Sequence, residues 1–500
     1  MTESRGYFFY AFFLTVWSSG FIIKKVNLMY RIEIIQNKAK KEVFAAHGEK
    51  LSDVFVENGF SVSHPCAGKG MCKKCTVLVN GKNELSCQYE ICADAEVILP
   101  EKEEILSFCG EYAAAGVTEN LCFVLDIGTT TLALALVSLD EKNIICTKTK
   151  VNPQRAFGAD VVSRIEYCRQ NGTDELQRAV VGAVNEMIDD IVCEYNVFVE
   201  KMYVAGNTAM LHLFFGVDCS AMGVSPYTPS FLESITENGA DIGIEKVQEV
   251  TSLPNISAFV GADIVAGLNF SGMPGKGKYN ILIDLGTNAE IVLYSDEKIL
   301  CTAAAAGPCF ECANISSGMS ATKGAVYAYA SDRIQTVGNE KAQGICATGL
   351  IDIVAELLKN ETIDETGSMD CEKFTVAENV FLTREDVRQF QLAKSAVYSA
   401  IITLMKMQNV SFADVEKVFI AGGFSSGLDI SNAVATGLLP LELKSKYVVI
   451  NNSSLLGTAD FAVQKSDLSV FTEKAAYVDL AENPMFSELF IKNMMFTFYI

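Results

Sequence analysis

The chain has 500 residues, half of them apolar, with a formal net charge of −21 and an isoelectric point near 4.7. This composition excludes a disordered or fibrous chain, and its acidity argues against a nucleic-acid partner, which needs a basic face that releases counterions. Length predicts about three domains at roughly 150 residues each, while sixteen cysteines, most of them single in apolar surroundings, and only three histidines fit a reducing cytoplasm better than a disulfide scaffold.

Residues 7–23 (YFFYAFFLTVWSSGFII) are nearly all apolar, flanked by Arg5, Lys24 and Lys25. They fall short of the roughly 20 apolar residues of a typical spanning helix. The stretch is read either as a membrane or signal segment or, the preferred reading, as an over-extended start before Met29, so residues 1–28 stand apart from the fold.

From Met29 the pattern predicts two strands (YRIEII, KEVFAA), a short helix (LSDVFVENG) and then HPCAGKGMCKKCTVLVNGKNELSCQ, with a hairpin through Asn80 and Gly81. Cys66, Cys72, Cys75 and Cys87 space as Cys-x5-Cys-x2-Cys followed by one distant cysteine. Four thiolates meet the need of a 2Fe-2S cluster, and Gly68 and Gly70 allow the loop to curl around it. The spacing is one residue longer than the plant-type pattern and is similar to the adrenodoxin-like variant. A structural zinc site is the rival, but zinc ribbons use two Cys-x2-Cys knuckles and here the fourth ligand is solitary. The fold expected of residues 29–103 is α+β, ferredoxin-like (β-grasp), with residues 104–120 as a linker.

FVLDIGTTTLALALVSL then predicts a buried strand ending in Asp126, a turn through Gly128, and Thr129 and Thr130 before a second strand. YNILIDLGTNAEIVLY repeats the design with Asp284, Gly286, Thr287 and Asn288. Such a hairpin brings amides and hydroxyls against phosphate while its carboxylate holds hydrated Mg2+. Two copies predict an internal duplication, a first half over 121–278 and a second over 279–500, facing one cleft. VEKVFIAGGFSSGLD adds Gly422 and Gly423, which let the backbone approach a base and ribose. GMPGKGKY mimics a P-loop, but Tyr279 stands where Ser or Thr should meet magnesium, so it is read as a turn.

These three segments resemble the phosphate 1, phosphate 2 and adenosine motifs of the superfamily of actin, sugar kinases, acetate kinases and seventy-kilodalton heat-shock proteins. The likeness implies a duplicated α/β ribonuclease-H-like ATPase domain. AGNTAM and GICATGLIDIVAEL resemble its two connecting elements.

The order of HPCAGKGMCKKC, VLDIGTTT, NPQRAFGADVVSRI, AGNTAM, DLGTNAE, SSGMSATKGA, GICATGLID, LTREDVRQFQLAKSA and IAGGF resembles that of the reductive activators of corrinoid proteins. The resemblance implies ATP-dependent reduction of inactive cobalt(II) to cobalt(I) in the corrinoid protein of a methyltransferase system, one electron passing from an upstream donor through the cluster. A plant-type cluster lies near about −400 mV and cobalt(II) is harder still to reduce, hence the coupling to ATP. On this reading Asp126 and Asp284 position Mg2+ and water. Thr129, Thr130, Thr287 and Asn288 hold phosphate, Gly128 and Gly286 shape the turns, Gly422 and Gly423 face adenosine, and Glu290 supports its loop. No nucleic acid is expected, and a homodimer is among the open oligomeric states.

Two departures stand out. Members of the family carry a longer linker and a small middle domain, whereas the connector here is short. In GPCFECAN, Cys309 and Cys312 take places expected for small residues and are read as packing. The alternatives are another ATP-driven reductase activator or small-molecule kinase of the same superfamily, and a ferredoxin-type carrier with a regulatory nucleotide-binding module.

Overall fold

The computed structural model describes residues 29–36, 39–58, 60, 75–99, 120–286, 288–312, 314–331 and 333–496. Residues 1–28, Cys66, Cys72, Thr287 and residues 104–119 of the linker, for which expectations were stated, lie outside them. Among the described residues no helix is long and apolar enough to cross a membrane.

The first unit is a five-stranded mixed sheet made of β1 (Met29–Gln36), β2 (Ala39–Ala46), β3 (Thr76–Val79), β4 (Lys82–Leu85) and β5 (Ala95–Ile98), with α1 (Leu51–Glu57). The strand order is β2-β1-β5-β3-β4, with β1 and β5 parallel. Alternation sets the faces: Ile32, Ile34, Val43, Ala45, Val77, Val79 and Val97 turn inward onto Leu51, Val54 and Phe55 of α1. The β3–β4 hairpin turns at Asn80 (φ 50°) and Gly81 (φ 78°), the left-handed pair that a two-residue hairpin needs.

The rest of the chain is one plan used twice. The first half runs β6 (Leu121–Ile127), β7 (Thr131–Ser138), β8 (Asn143–Val151), α2 (Val161–Asn171), α3 (Asp174–Tyr195), β9 (Lys201–Gly206), α4 (Thr208–Phe214), β10 (Thr236–Asn238), β11 (Glu249–Ser252) and α5 (Ala262–Ser271). The second runs β12 (Tyr279–Leu285), β13 (Ala289–Tyr294) and β14 (Ile299–Ala304), and then an insertion of β15 (Ala325–Ala330), β16 (Arg333–Thr336), β17 (Gly344–Ile345), α6 (Ala347–Lys359), β18 (Lys373–Ala377) and β19 (Val380–Thr383). It returns to the plan with α7 (Arg384–Met407), β20 (Val415–Ala421), α8 (Ile430–Ala435), β21 (Tyr447–Val449) and α9 (Ser453–Gln464), and closes with α10 (Ser469–Thr472), β22 (Ala475–Tyr477) and α11 (Pro484–Lys492).

Five strands of the two six-stranded sheets correspond, β11-β9-β6-β7-β8 against β21-β20-β12-β13-β14, with β10 added at one edge of the first sheet and β22 at the opposite edge of the second. In each the leading strand is antiparallel to its successor and parallel to a later one, β6 to β9 and β12 to β20. Such central strands are buried on both faces, which is why LCFVLDI and YNILIDL are continuous apolar runs rather than alternating ones. The long helices α3 and α7 cover the outer faces through Leu176, Val180, Val184, Met187 and Ile188, and through Phe390, Val397, Ile401 and Leu404. A reciprocal Thr383/Asp386 capping box fixes where α7 begins.

Between the sheets lie α5 and α9, which cross closely. A Cβ on Gly457 of α9 would stand 1.8 Å from the Ala266 carbonyl oxygen, and one on Gly267 of α5 would stand 2.9 Å from Leu282 Cδ2. Asn269 Nδ2 donates to the Gly457 carbonyl at 3.0 Å. The inner core therefore joins residues of both halves, among them Phe123, Leu125, Val265, Leu282, Val292, Leu455 and Ala459.

This crossing corrects one expectation. AGNTAM (β9–α4) and GICATGLIDIVAEL (β17–α6) each stay within one half, and the elements that pass between the sheets are α5 and α9. AGNTAM instead matches IAGGF in place: Gly206 and Gly422 close β9 and β20, and a Cβ on them would strike the Ile127 and Leu285 carbonyls at 2.8 and 2.2 Å. Ile127 and Leu285 are the residues that follow Asp126 and Asp284.

Candidate functional site

The ends of β6 and β12 bring Asp126 and Asp284 to one cleft, both half-buried. Asp126 lies opposite Ala205 of β9, and Asp284 opposite Ala421 of β20, so the two carboxylates leave equivalent points of the two sheets. After Asp126 the chain turns tightly, with the Gly128 amide donating to the Thr131 carbonyl at 3.0 Å and no room for a Cβ at Gly128. After Asp284 the Gly286 amide donates to the Asn288 carbonyl at 3.0 Å.

The first of these loops is held from below. Asn152 donates its side-chain amide to the Gly128 carbonyl at 2.8 Å and its backbone amide to the Thr130 carbonyl at 2.9 Å. The guanidinium of Arg164, fully buried, donates to the carbonyls of Thr129 (2.5 Å) and Gly158 (3.0 Å) and to Gln154 Oε1 (3.3 Å). Burial pulls its pKa down to about 9, with Arg155 as a further depressing charge. A buried cation holding the Thr129 carbonyl from beneath favours an anion on the loop it supports. Asn152 and Arg164 belong to NPQRAFGADVVSRI, which sequence reading marked without assigning a role.

Four carboxylates share the cleft: Asp126, Asp284, Glu290 and Asp263. Asp126 Oδ2 accepts from Asn452 Nδ2 (2.9 Å) and its Oδ1 from Ser454 Oγ (2.7 Å), both at the start of α9. Asp263 stands in the first turn of α5, where Oδ1 accepts from the Ile264 amide at 2.9 Å. Glu290 is the register partner of Asp284 across β12–β13. Burial, and then the charge of the neighbouring carboxylates, pushes Asp263 and Asp284 up to about 7 and Glu290 well above its ordinary value. Asp126 is raised by burial against the pull of its two donors.

Carboxylates forced together in this way hold protons at neutral pH that a divalent cation can replace. Among the described residues no three His, Cys, Asp or Glu side chains converge on one point as a bare-ion cage. An acidic, oxygen-lined site of this kind suits a hard cation such as Mg2+. Sequence reading missed Asp263, Asn452 and Ser454 and gave Glu290 only a supporting part.

Across the cleft Gly422 has φ 105°, and its Cα packs onto Leu285, whereas a Cβ on Gly423 would meet open space. The backbone there is bare toward the cleft. Phe424, the next residue, tilts against Phe310 with ring centroids 5.6 Å apart. GMPGKGKY is a turn between α5 and β12, with left-handed Gly272 (φ 69°) and Gly277 (φ 70°).

Of the four predicted cluster ligands, Cys75 and Cys87 are described. Both are buried, and their sulfurs are 3.3 Å apart, well beyond the 2.05 Å of a disulfide. Gln88 Nε2 lies 3.8 Å from Cys87 Sγ. Cys92 is exposed, and Cys309 and Cys312 are sunk in the second core at 1% exposure each, as packing side chains. His212 is structural as well: one ring nitrogen lies 2.8 Å from the Thr208 carbonyl, the other accepts from the Ser230 amide at 3.0 Å, and Phe231 stacks on the ring.

Residues 121–276 match the family described as the RACo middle region, and residues 278–498 match the C-terminal domain of RACo, the ASKHA domain. A middle region is thus matched here, contrary to the expectation that one is missing, and it supplies the first six-stranded sheet. The chain is 28% identical to the corrinoid activation enzyme RamQ of Eubacterium limosum over 74% of its own length and 69% of that protein. It is 24% identical to a [Co(II) methylated amine-specific corrinoid protein] reductase of Methanosarcina barkeri over 70% and 71%. Among solved structures it is similar to a reductive activator for a corrinoid, iron-sulfur protein, at TM-score 0.68 and 24% identity, covering 93% of this chain and 98% of the other.

Proposed function

Because the chain belongs to the family of reductive activators of corrinoid proteins, we propose that it returns the cobalt of a corrinoid protein from the two-valent to the one-valent state at the expense of ATP. The observation that carries the ATP half is the pairing of Asp126 and Asp284 at equivalent strand ends, within one field of charge and beside Asp263 and Glu290. On this reading the four carboxylates hold Mg2+ through water and orient the attacking water. Thr129, Thr130, Thr287 and Asn288 hold phosphate oxygens on the amide-rich turns at Gly128 and Gly286, and Gly422 and Gly423 admit the adenosine.

The electron enters through residues 29–103, where Cys66, Cys72, Cys75 and Cys87 would ligate a 2Fe-2S cluster. The buried, adjacent sulfurs of Cys75 and Cys87 support this, being close enough to share one metal and too far apart to be bonded. The sheet order β2-β1-β5-β3-β4 supports a ferredoxin-like (β-grasp) fold. When bound, such a cluster supplies one-electron transfer. Residues 104–120 would act as the connector, and 121–278 and 279–500 as the two halves of the ATPase. A cytoplasmic location, an upstream electron donor and a methyltransferase system as the destination complete the proposal.

The test is anaerobic: reduced full-length protein is mixed with a corrinoid protein, with and without Mg-ATP, and the cobalt(I) absorption band is followed. The band should grow only with ATP. Its failure to appear with corrinoid proteins encoded beside this chain, or its growth without ATP, would remove the reading.

A further inference from the structure

Within the GPCFECAN segment, Pro308 to Cys312 make a tight turn in the connection from β14 to β15, and Glu311 there has no role assigned so far. The Glu311 amide donates to the Pro308 carbonyl at 3.2 Å and the Cys312 amide to the Cys309 carbonyl at 2.9 Å. Cys309, Phe310 and Cys312 are buried at 1, 3 and 1% exposure. Cys312 takes a left-handed φ of 55°, and the absence of a side chain at Gly318 lets it settle there, since a Cβ on that glycine would lie 2.0 Å from the Cys312 carbonyl oxygen. Of these four residues Glu311 alone turns away from the core. Its carboxylate reaches from the second half to the first, where Oε1 accepts the Thr130 hydroxyl at 3.3 Å.

We propose that Glu311 is a positioning residue of the phosphate site, competing with the phosphate of a bound nucleotide for the Thr130 hydroxyl and passing the outcome to the adenosine loop through Phe310. The proposal rests on the ATP reading of the cleft. Thr130 has one hydroxyl proton to donate, so a bond to Glu311 and a bond to a phosphate oxygen exclude each other. The two acceptors are also both anions, and they repel at the same point. Phosphate that takes the hydroxyl displaces Glu311, and Glu311 is rigidly continuous with Phe310, which packs on Phe424 at 5.6 Å and on Phe390 at 6.2 Å. Phosphate on the first half is thereby felt at Gly422 and Gly423 on the second.

The experiment is calorimetric titration of the full-length chain with the magnesium complex of adenylyl imidodiphosphate, a non-hydrolysable ATP analogue. Glu311→Gln removes the charge, and Glu311→Ala removes charge and acceptor together. Both should bind the analogue more tightly than wild type, roughly threefold to tenfold, with Ala the tighter. In a Thr130→Val background the charge part of the gain should remain for both variants, while the extra gain of Ala over Gln should vanish, and in Thr130→Ser that extra gain should return. A merely structural Glu311 would change the melting temperature without this dependence on the hydroxyl. Equal or weaker binding by both Glu311 variants overturns the proposal, as does an Ala-over-Gln difference that is the same in Thr130→Val as in wild type. A wild-type chain that binds no analogue overturns the ATP reading along with it, which separates the two failures.

Discussion

Asn452, at the start of α9, donates its side-chain amide to Oδ2 of Asp126, at the end of β6, across 2.9 Å and 326 residues of sequence. Ser454 takes the other oxygen, so the second half fixes the orientation of the first half's carboxylate. Asn452 also caps α9 by accepting from the Leu455 amide at 2.8 Å. Asn452→Asp keeps the cap and replaces the donor to Asp126 with a repelling carboxylate. We expect a lower melting temperature and ATP hydrolysis down by about tenfold or more, since a charge-assisted hydrogen bond contributes about 1.5–3 kcal/mol. Hydrolysis equal to wild type in steady-state assays would show that Asp126 needs no such support.

The carboxylate cluster makes stability depend on pH. Asp263 and Asp284 have folded values raised to about 7 from an ordinary value of 3.8, so the folded chain binds more protons than the unfolded one in between. Their stabilising contribution is fully present below about pH 4 and is lost as pH rises through 7. Protein free of magnesium and nucleotide should therefore melt lower at pH 8 than at pH 6, and Asp263→Asn should narrow the difference. Mg-ATP should stabilise more at pH 8 than at pH 6, because the cation displaces the same protons. Scanning calorimetry showing wild type and Asp263→Asn alike at both pH values would remove the argument.

Two adjacent glycines separate packing from function. Gly422→Ala places a Cβ 2.2 Å from the Leu285 carbonyl oxygen at φ 105°, which should cost about 2–4 kcal/mol of stability. Gly423→Ala enters open space, so stability should stay within about 0.5 kcal/mol. Nucleotide affinity should fall in the second variant, where the methyl group takes space beside the ligand. Equal melting temperatures for the two variants would contradict the observed packing.

The iron prediction concerns Cys75 and Cys87. Full-length protein purified without oxygen should carry two irons and two acid-labile sulfides per chain, and Cys75→Ser should lose both along with the visible spectrum. Four irons shared between two chains, or a stoichiometric zinc ion, would exclude the 2Fe-2S assignment.

The paired loops were legible in sequence because strand, carboxylate, glycine and hydroxyl are contiguous in each copy. The same holds for the Asn80–Gly81 hairpin, where a dipeptide fixes the turn. Asp263, Asn452 and Ser454 were not legible. They reach Asp126 only through the crossing of α5 and α9, a contact set by Gly267 and Gly457 and by no local pattern. AGNTAM hid its equivalence to IAGGF because the copies share only Ala-Gly; Asn207 caps α4 where the other copy places Gly423. Glu311 escaped notice because Cys309 and Cys312 flank it and attract a redox reading, although their part is to anchor the turn that aims it.

The helix crossing also sets the order in which the chain can be completed during synthesis. The inner face of the first sheet is covered in part by α9, through Leu455, Ala459 and Ala462. That helix leaves the ribosome about 180 residues after α5, a delay of roughly 10–40 s at ordinary rates of translation. Throughout that interval the nascent first half displays apolar surface with nothing of its own to cover it. The first half thus stays open to non-native association until α9 has been made, and a frameshift or nonsense lesion before that helix would unroof the beginning of the fold.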